Sequence, residues 1–164
     1  MSETAKLSEV GISIDFGIFK LVTKWNEDPR QKNAAWALYV ELSTRIATQE
    51  LDLEYGHIRE ALDSLHTLFG VTREILRAEG PAVGMSATSV GGIAVRVLNL
   101  VIRPFLAKWH PRLGDWEARR EPNASARAHE RAWSDEAKCR GELAKLQKGL
   151  EAYAQTLGKI AGAT

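Results

Sequence analysis

The C-terminal part of the chain constrains the fold most. Leu143, Leu146, Leu150, Tyr153, Leu157 and Ile160 follow one another at spacings that alternate strictly between three and four. That rhythm places all six on one stripe of an α-helix. Ala132 and Cys139 extend the seam toward the N-terminus. A helix from about Ser125 to Ile160 would be roughly 54 Å long at about 1.5 Å per residue. Such a stripe is stable in water only when covered, so the upstream chain has to supply the cover.

The upstream segments read as helices that can do this. Asp28 before Pro29 is an N-cap residue ahead of a proline suited to the first helical position. From there Leu38, Leu42 and Ile46 share a face, Trp36 and Val40 widen the stripe, and Glu41 and Arg45 form an i,i+4 pair. From about Tyr55, Ile58, Leu62, Leu65, Phe69 and Leu76 keep the helical rhythm, with Thr72 in the polar slot. The run Gly80 to Gly92, rich in Gly, Ser, Thr and Ala, reads as a loop. From about Ser89, Ile93, Val97, Val101 and Phe105 form another line, which Pro104 is expected to kink or break.

Ile12, Ile14, Phe16 and Ile18 alternate like a strand, yet Ile14, Ile18, Leu21 and Trp25 recur at helical spacing. A lone strand has no ladder partner, so this segment is predicted as helix. The expected fold is all-α, a single domain over residues 1–164. It is an antiparallel helical bundle of four to five helices with a long C-terminal helix. Helices are placed near 30–50, 55–78, 90–110 and 125–160.

Charge and cysteine content narrow the function classes. The net charge of +1 makes no global electrostatic claim on nucleic acid or an acidic membrane. Its distribution is uneven: residues 1–80 hold 9 basic and 13 acidic side chains, and residues 81–164 hold 13 basic and 8 acidic. The single cysteine, Cys139, excludes an internal disulfide and a multi-cysteine zinc site, which fits a cytoplasmic protein. The N-terminus opens polar, without the apolar core of a secretory signal. Arg96, Arg103 and Lys108 interrupt the apolar stretch Gly91 to Trp109, so no stable membrane insertion is expected.

No reaction signature emerges. The glycines between Gly80 and Gly92 lack the lysine and strand–helix setting of a phosphate loop. His57 and His66 fall on opposite faces of one helix, and His129-Glu130 has no second histidine at metalloprotease spacing. Neither a metal site nor a cofactor site is predicted. Cys139 sits on the apolar seam and reads as a small core residue, and Asp63, Asp135 and Glu142 read as members of solvated charged faces.

The segment Arg103 to Arg112 is the most unusual local composition. Pro104 and Pro111 bracket a short helical turn carrying Lys108, Trp109 and His110, and Trp116 follows. Arg103, Lys108, Trp109, His110 and Arg112 are therefore candidate partner-binding residues, a basic-aromatic surface of the kind that grips proteins. The competing reading folds the tryptophans back onto the bundle, each indole making one hydrogen bond. Trp116 is assigned to that second role, while Trp109 and His110 fit either.

The segments Asp15 to Trp25, Ala34 to Leu42, Arg59 to Leu65, Leu98 to Leu113 and His129 to Trp133 resemble a group of small helical accessory proteins of bacterial conflict (antiphage defence) systems. The resemblance implies a non-enzymatic role as adaptor, inhibitor or effector substrate, with a protein partner encoded in the same locus. Two rival readings remain open. One is a nucleic-acid-binding module using Arg103, Lys108, Arg112, Arg119 and Arg120. The other is a membrane-active amphipathic protein using residues 91–109. Oligomeric state is left open by the sequence.

Overall fold

The computed structural model describes residues 10–16, 20–25 and 28–163. Its body is an all-α antiparallel bundle, as expected, and a two-stranded hairpin precedes it. Strands β1 (Val10–Asp15) and β2 (Lys20–Trp25) pair antiparallel, with Ile12 opposite Thr23 and Ile14 opposite Leu21. This corrects the helix predicted there at residues 10–15 and 20–25; Ile18 lies outside the described residues. The alternation of Ile12 and Ile14 was a genuine strand signal, and its ladder partner is β2, which carries the β-branched Val22 and Thr23. Phe16 ties the hairpin to the bundle: it is buried against Gly149, where a Cβ would lie 2.7 Å from the Phe16 ring, and its ring centroid is 6.4 Å from that of Tyr153.

Helix α1 (Pro29–Ser43) starts as the sequence predicts, the Asp28 carboxylate accepting a hydrogen bond from the Arg30 N–H at 2.9 Å. Its face toward α6 and α2 is built from Ala34, Ala35, Leu38 and Leu42, all buried. Trp36 and Val40, expected to widen that stripe, instead point outward, with Trp36 tilted against Tyr39 at 5.7 Å. The small Ala34 and Ala35 explain the difference: they let α1 approach its neighbours closely and turn the larger residues away. A short 3₁₀ turn at Ile46–Thr48 follows, so the helix predicted to reach residue 50 ends earlier.

Helix α2 (Ile58–Glu79) buries Ile58, Ala61, Leu62, Leu65, Leu68 and Thr72, and ends at Gly80, whose φ of 83° is left-handed. Gln31 then stitches the following loop to α1. Its amide donates to the Ala82 carbonyl at 3.1 Å, and its carbonyl oxygen accepts from the Val90 N–H at 2.8 Å, capping the next helix. Two glycines at the start of the next helix let this loop pack closely: a Cβ on Gly91 would meet the Val83 carbonyl oxygen at 2.5 Å, and one on Gly92 the Ser86 carbonyl oxygen at 1.9 Å.

Helices α3 (Val90–Arg96) and α4 (Arg103–Glu117) form one continuous run joined by a π-helical stretch, Val97–Ile102. The Arg103 N–H reaches five residues back to the Leu98 carbonyl. Pro104, which has no N–H, falls immediately after this widened turn, so the helix continues where a kink or break was expected.

The C-terminal region is two helices, α5 (Ala126–Arg131) and α6 (Glu136–Ala161), where one helix from about 125 to 160 was predicted. The chain turns at residues 132–135 so that Trp133 inserts into the core, leaving Ala132 exposed and off the seam. From Cys139 onward the predicted stripe is the buried face of α6, including Leu143, Leu146, Leu150, Tyr153, Leu157 and Ile160. Leu150 is fully buried, so Leu150→Ala is expected to lower stability by about 2–5 kcal/mol, transfer and cavity effects together. Chemical denaturation checks this; an unchanged midpoint would mean the seam is not core.

Candidate functional site

The Arg103–Arg112 segment lies on α4, and helical geometry sends its candidate residues in different directions. Trp109 is fully buried. Its ring meets Trp133 edge-on, with centroids 5.8 Å apart and planes at 87°, and its indole N–H donates to Glu142 at 2.8 Å. Trp109 is therefore a core side chain, which corrects its place among the residues that would touch a partner. A tryptophan at the centre of a helix's inward face is what the bundle core selects, and Glu142 satisfies its polar edge.

Lys108 and Arg112 flank Trp109 and face α6. The Lys108 ammonium donates to Glu142 at 2.7 Å and lies over the Trp109 ring at 4.6 Å. Arg112 stands over the same ring at 5.6 Å and reaches Asp135 at 3.6 Å. The Lys108 hydrogen bond, aided by that from Trp109, holds the Glu142 carboxyl below the usual carboxylate range. These contacts bind α4 to α6.

Arg103 and His110 point toward α2. Arg103 donates to the Asn99 side-chain oxygen at 3.1 Å and lies 4.9 Å over the Phe69 ring. His110 lies 3.4 Å from Asp63 and within 3.2 Å of the Arg59 guanidinium. Its ring centroid is 6.1 Å from that of His66. Together they border an open groove of about 540 Å³ between α2 and α4, lined by His66, Phe69, Arg73, Arg103, Leu106, Ala107, His110 and Pro111. The lining combines two guanidiniums and two imidazoles with aromatic and aliphatic surface. The π-helical stretch contributes directly, since it resets the phase of α4 just before Arg103 and places Asn99 one turn behind the guanidinium.

The remaining aromatic residue of the region behaves as predicted. Trp116 stacks on His129 at 4.6 Å, its indole N–H donates to the His129 carbonyl at 2.8 Å, and a His129 ring nitrogen lies 2.8 Å from the Trp116 carbonyl.

A second constellation had no clear sequence signal. Glu130 is buried, and its carboxylate accepts from the Ile58 N–H at 3.0 Å, capping α2 from a distance in sequence of 72 residues. It also pairs with Arg127 at 3.1 Å and Arg140 at 3.3 Å. Arg127, Arg131 and Arg140 then donate to backbone carbonyls of residues 52–56: Leu53, Glu54, Asp52 and Gly56. Asp52 closes the turn internally, accepting from the Glu54 and Tyr55 N–H groups, and a Cβ on Gly56 would lie 2.6 Å from the Asp52 carbonyl oxygen. The Asx turn at Asp52 and the i,i+4 pair Glu136–Arg140 are local features not among the expectations drawn from the sequence, and the convergence of three arginines on one turn is not local at all.

Cys139 is buried, and desolvation pushes its thiol up to about 12. It should resist alkylation in the folded protein and react only on unfolding, which timed iodoacetamide labelling with mass detection checks. Rapid native labelling would contradict its core placement. Among the described residues, no group of three or more His, Cys, Asp or Glu is arranged to hold a metal ion. The run Val90–Glu117 is long and apolar enough to cross a bilayer by length and composition, and Val97, Val101, Ile102, Phe105, Leu106 and Trp109 on it are buried in the bundle. The chain matches no protein-family model, no curated protein and no solved structure.

Proposed function

We propose that this chain is a non-catalytic helical-bundle interaction protein of the cytoplasm, an accessory component (adaptor, inhibitor or effector substrate) of a bacterial defence system. It docks a protein encoded in the same locus through the α2–α4 groove. The observation that carries this reading is the division of labour on α4. Trp109, Lys108 and Arg112 bind the helix to the bundle, whereas Arg103 and His110 join His66, Phe69 and Arg73 on an open surface. Exposed arginine beside aromatic and aliphatic surface is the composition that anchors protein interfaces. The defence setting rests on the sequence resemblance.

The nucleic-acid reading asks Arg103, Lys108, Arg112, Arg119 and Arg120 to act together. Their contacts lie in separate places: Arg103 beside Phe69, Lys108 and Arg112 beside α6, Arg120 in a cleft with His57 and Glu60. A phosphate backbone is tracked by a continuous basic stripe, so the protein-docking reading fits better. The membrane-active reading would need the core face of Val90–Glu117 to leave the bundle.

The test is affinity capture with the neighbouring genes of the locus co-expressed. A stoichiometric partner that is retained by the wild-type chain and lost from Arg103→Glu supports the proposal. Capture of none of the co-expressed products overturns it.

A further inference from the structure

The turn at residues 52–56 presents an unusual combination. Its backbone is clasped by Arg127, Arg131 and Arg140, yet Leu53 and Tyr55 are 78% and 74% exposed. Glu50 and Glu54 are exposed on either side of Leu53. Large apolar side chains held out on a rigid turn lose little further entropy on docking, which is the economy that interface anchors exploit. The turn is thus an acidic knuckle with two apolar tips.

We propose that this knuckle docks in the α2–α4 groove of a second copy of the chain. The inference rests on the groove being a protein-docking site, as argued above, and gives it an occupant in the absence of the locus-encoded partner, which would compete for the same surface. The complementarity is chemical on both counts. Glu50 and Glu54 meet Arg73 and Arg103, and Leu53 and Tyr55 meet Phe69, Ala107 and Pro111. None of the residues lining the groove is acidic; Asp63, at its His110 end, is engaged with Arg59 and His110.

A chain cannot fill its own groove this way. The knuckle precedes the first residue of α2, Phe69 lies about 16 Å further along that helix at about 1.5 Å per residue, and the arginine clasp holds the turn where it is. Contact between unlike surfaces of two copies is heterologous, so each added copy leaves one free knuckle and one free groove, and assembly proceeds head to tail. A single turn in a groove is a small interface, so the association is weak and concentration-dependent, and salt weakens it.

Analytical ultracentrifugation of the full chain tests this. The weight-average mass of the wild type is expected to rise with concentration and fall back with added salt. Glu54→Arg, which spoils only the knuckle, and Arg103→Ala, which spoils only the groove without creating an acidic mate for the introduced arginine, should each stay monomeric while keeping wild-type circular dichroism. Their equimolar mixture supplies one intact knuckle and one intact groove, and should form a two-chain species and nothing larger. A wild type that stays monomeric at the highest soluble concentration overturns the proposal, as does self-association unchanged by both substitutions or a mixture that remains monomeric. Salt-sensitive binding of an oligothymidylate, lost in Arg103→Ala without wild-type self-association, would make the groove a phosphate site and overturn it too. A monomeric wild type that still captures a co-expressed partner removes this inference alone.

Discussion

Trp109→Ala lowers stability by about 3–5 kcal/mol, the range for deleting a large aromatic side chain from a core. The substitution removes the edge-on contact with Trp133 and leaves a cavity that helices α4 and α6 cannot close without moving. It also takes away the indole N–H that Glu142 accepts. Lys108→Ala and Arg112→Ala should change stability far less, because their pairs with Glu142 and Asp135 are at least one-third exposed and screened by water. Urea unfolding of the three variants checks the contrast. A Trp109→Ala protein as stable as wild type would mean that the ring is not in the core.

Glu130→Ala is the second large effect, about 3–5 kcal/mol, the range for breaking a buried ion pair by removing one partner. The cost arises mainly from what remains. Arg127 and Arg140, 14% and 12% exposed, would lose the more deeply buried of the two carboxylates they share, keeping only Glu136 between them, and the Ile58 N–H would lose its acceptor. Glu130→Gln keeps an acceptor for Ile58 but not the charge, so it should fall between wild type and alanine. Thermal unfolding of both variants orders them. Equal stability of Glu130→Ala and wild type would show that the arginine clasp holds without its centre.

The legible parts of the fold were those set by local periodicity. The α6 seam, the Asp28–Pro29 start of α1 and the apolar face of α2 all follow from spacing and capping within a turn or two. The hairpin was missed because strand pairing is a relation between segments: Ile12 and Ile14 signalled a strand, and β2 was read as the continuation of a helix. The α5–α6 break was missed because Ala132 fits the spacing of the seam, while the tertiary contact of Trp133 with Trp109 lies outside any local window.

The site was legible in part, for the same reason. Composition singled out Arg103 to Arg112, but only the phase of α4, shifted by the π-helical stretch, decides that Trp109 turns inward and Arg103 toward α2. His66, Phe69 and Arg73 complete the groove from another helix and were absent from the candidate list. Glu130 has only its i,i+3 spacing from Arg127 as a local signal, since its other partners, Ile58 and Arg140, are 72 and 10 residues away.

The central claim is that α4 is divided, with one side holding the bundle together and the other meeting a partner. Quantitative co-expression capture with two charge-altered proteins tests it most directly: Arg73→Glu/Arg103→Glu and Lys108→Ala/Arg112→Ala, each with its fold checked by circular dichroism. The account predicts that the first pair loses the partner at unchanged helicity and the second retains it. Retention by the first pair with loss from the second would place the interface on the α6 side and contradict the account.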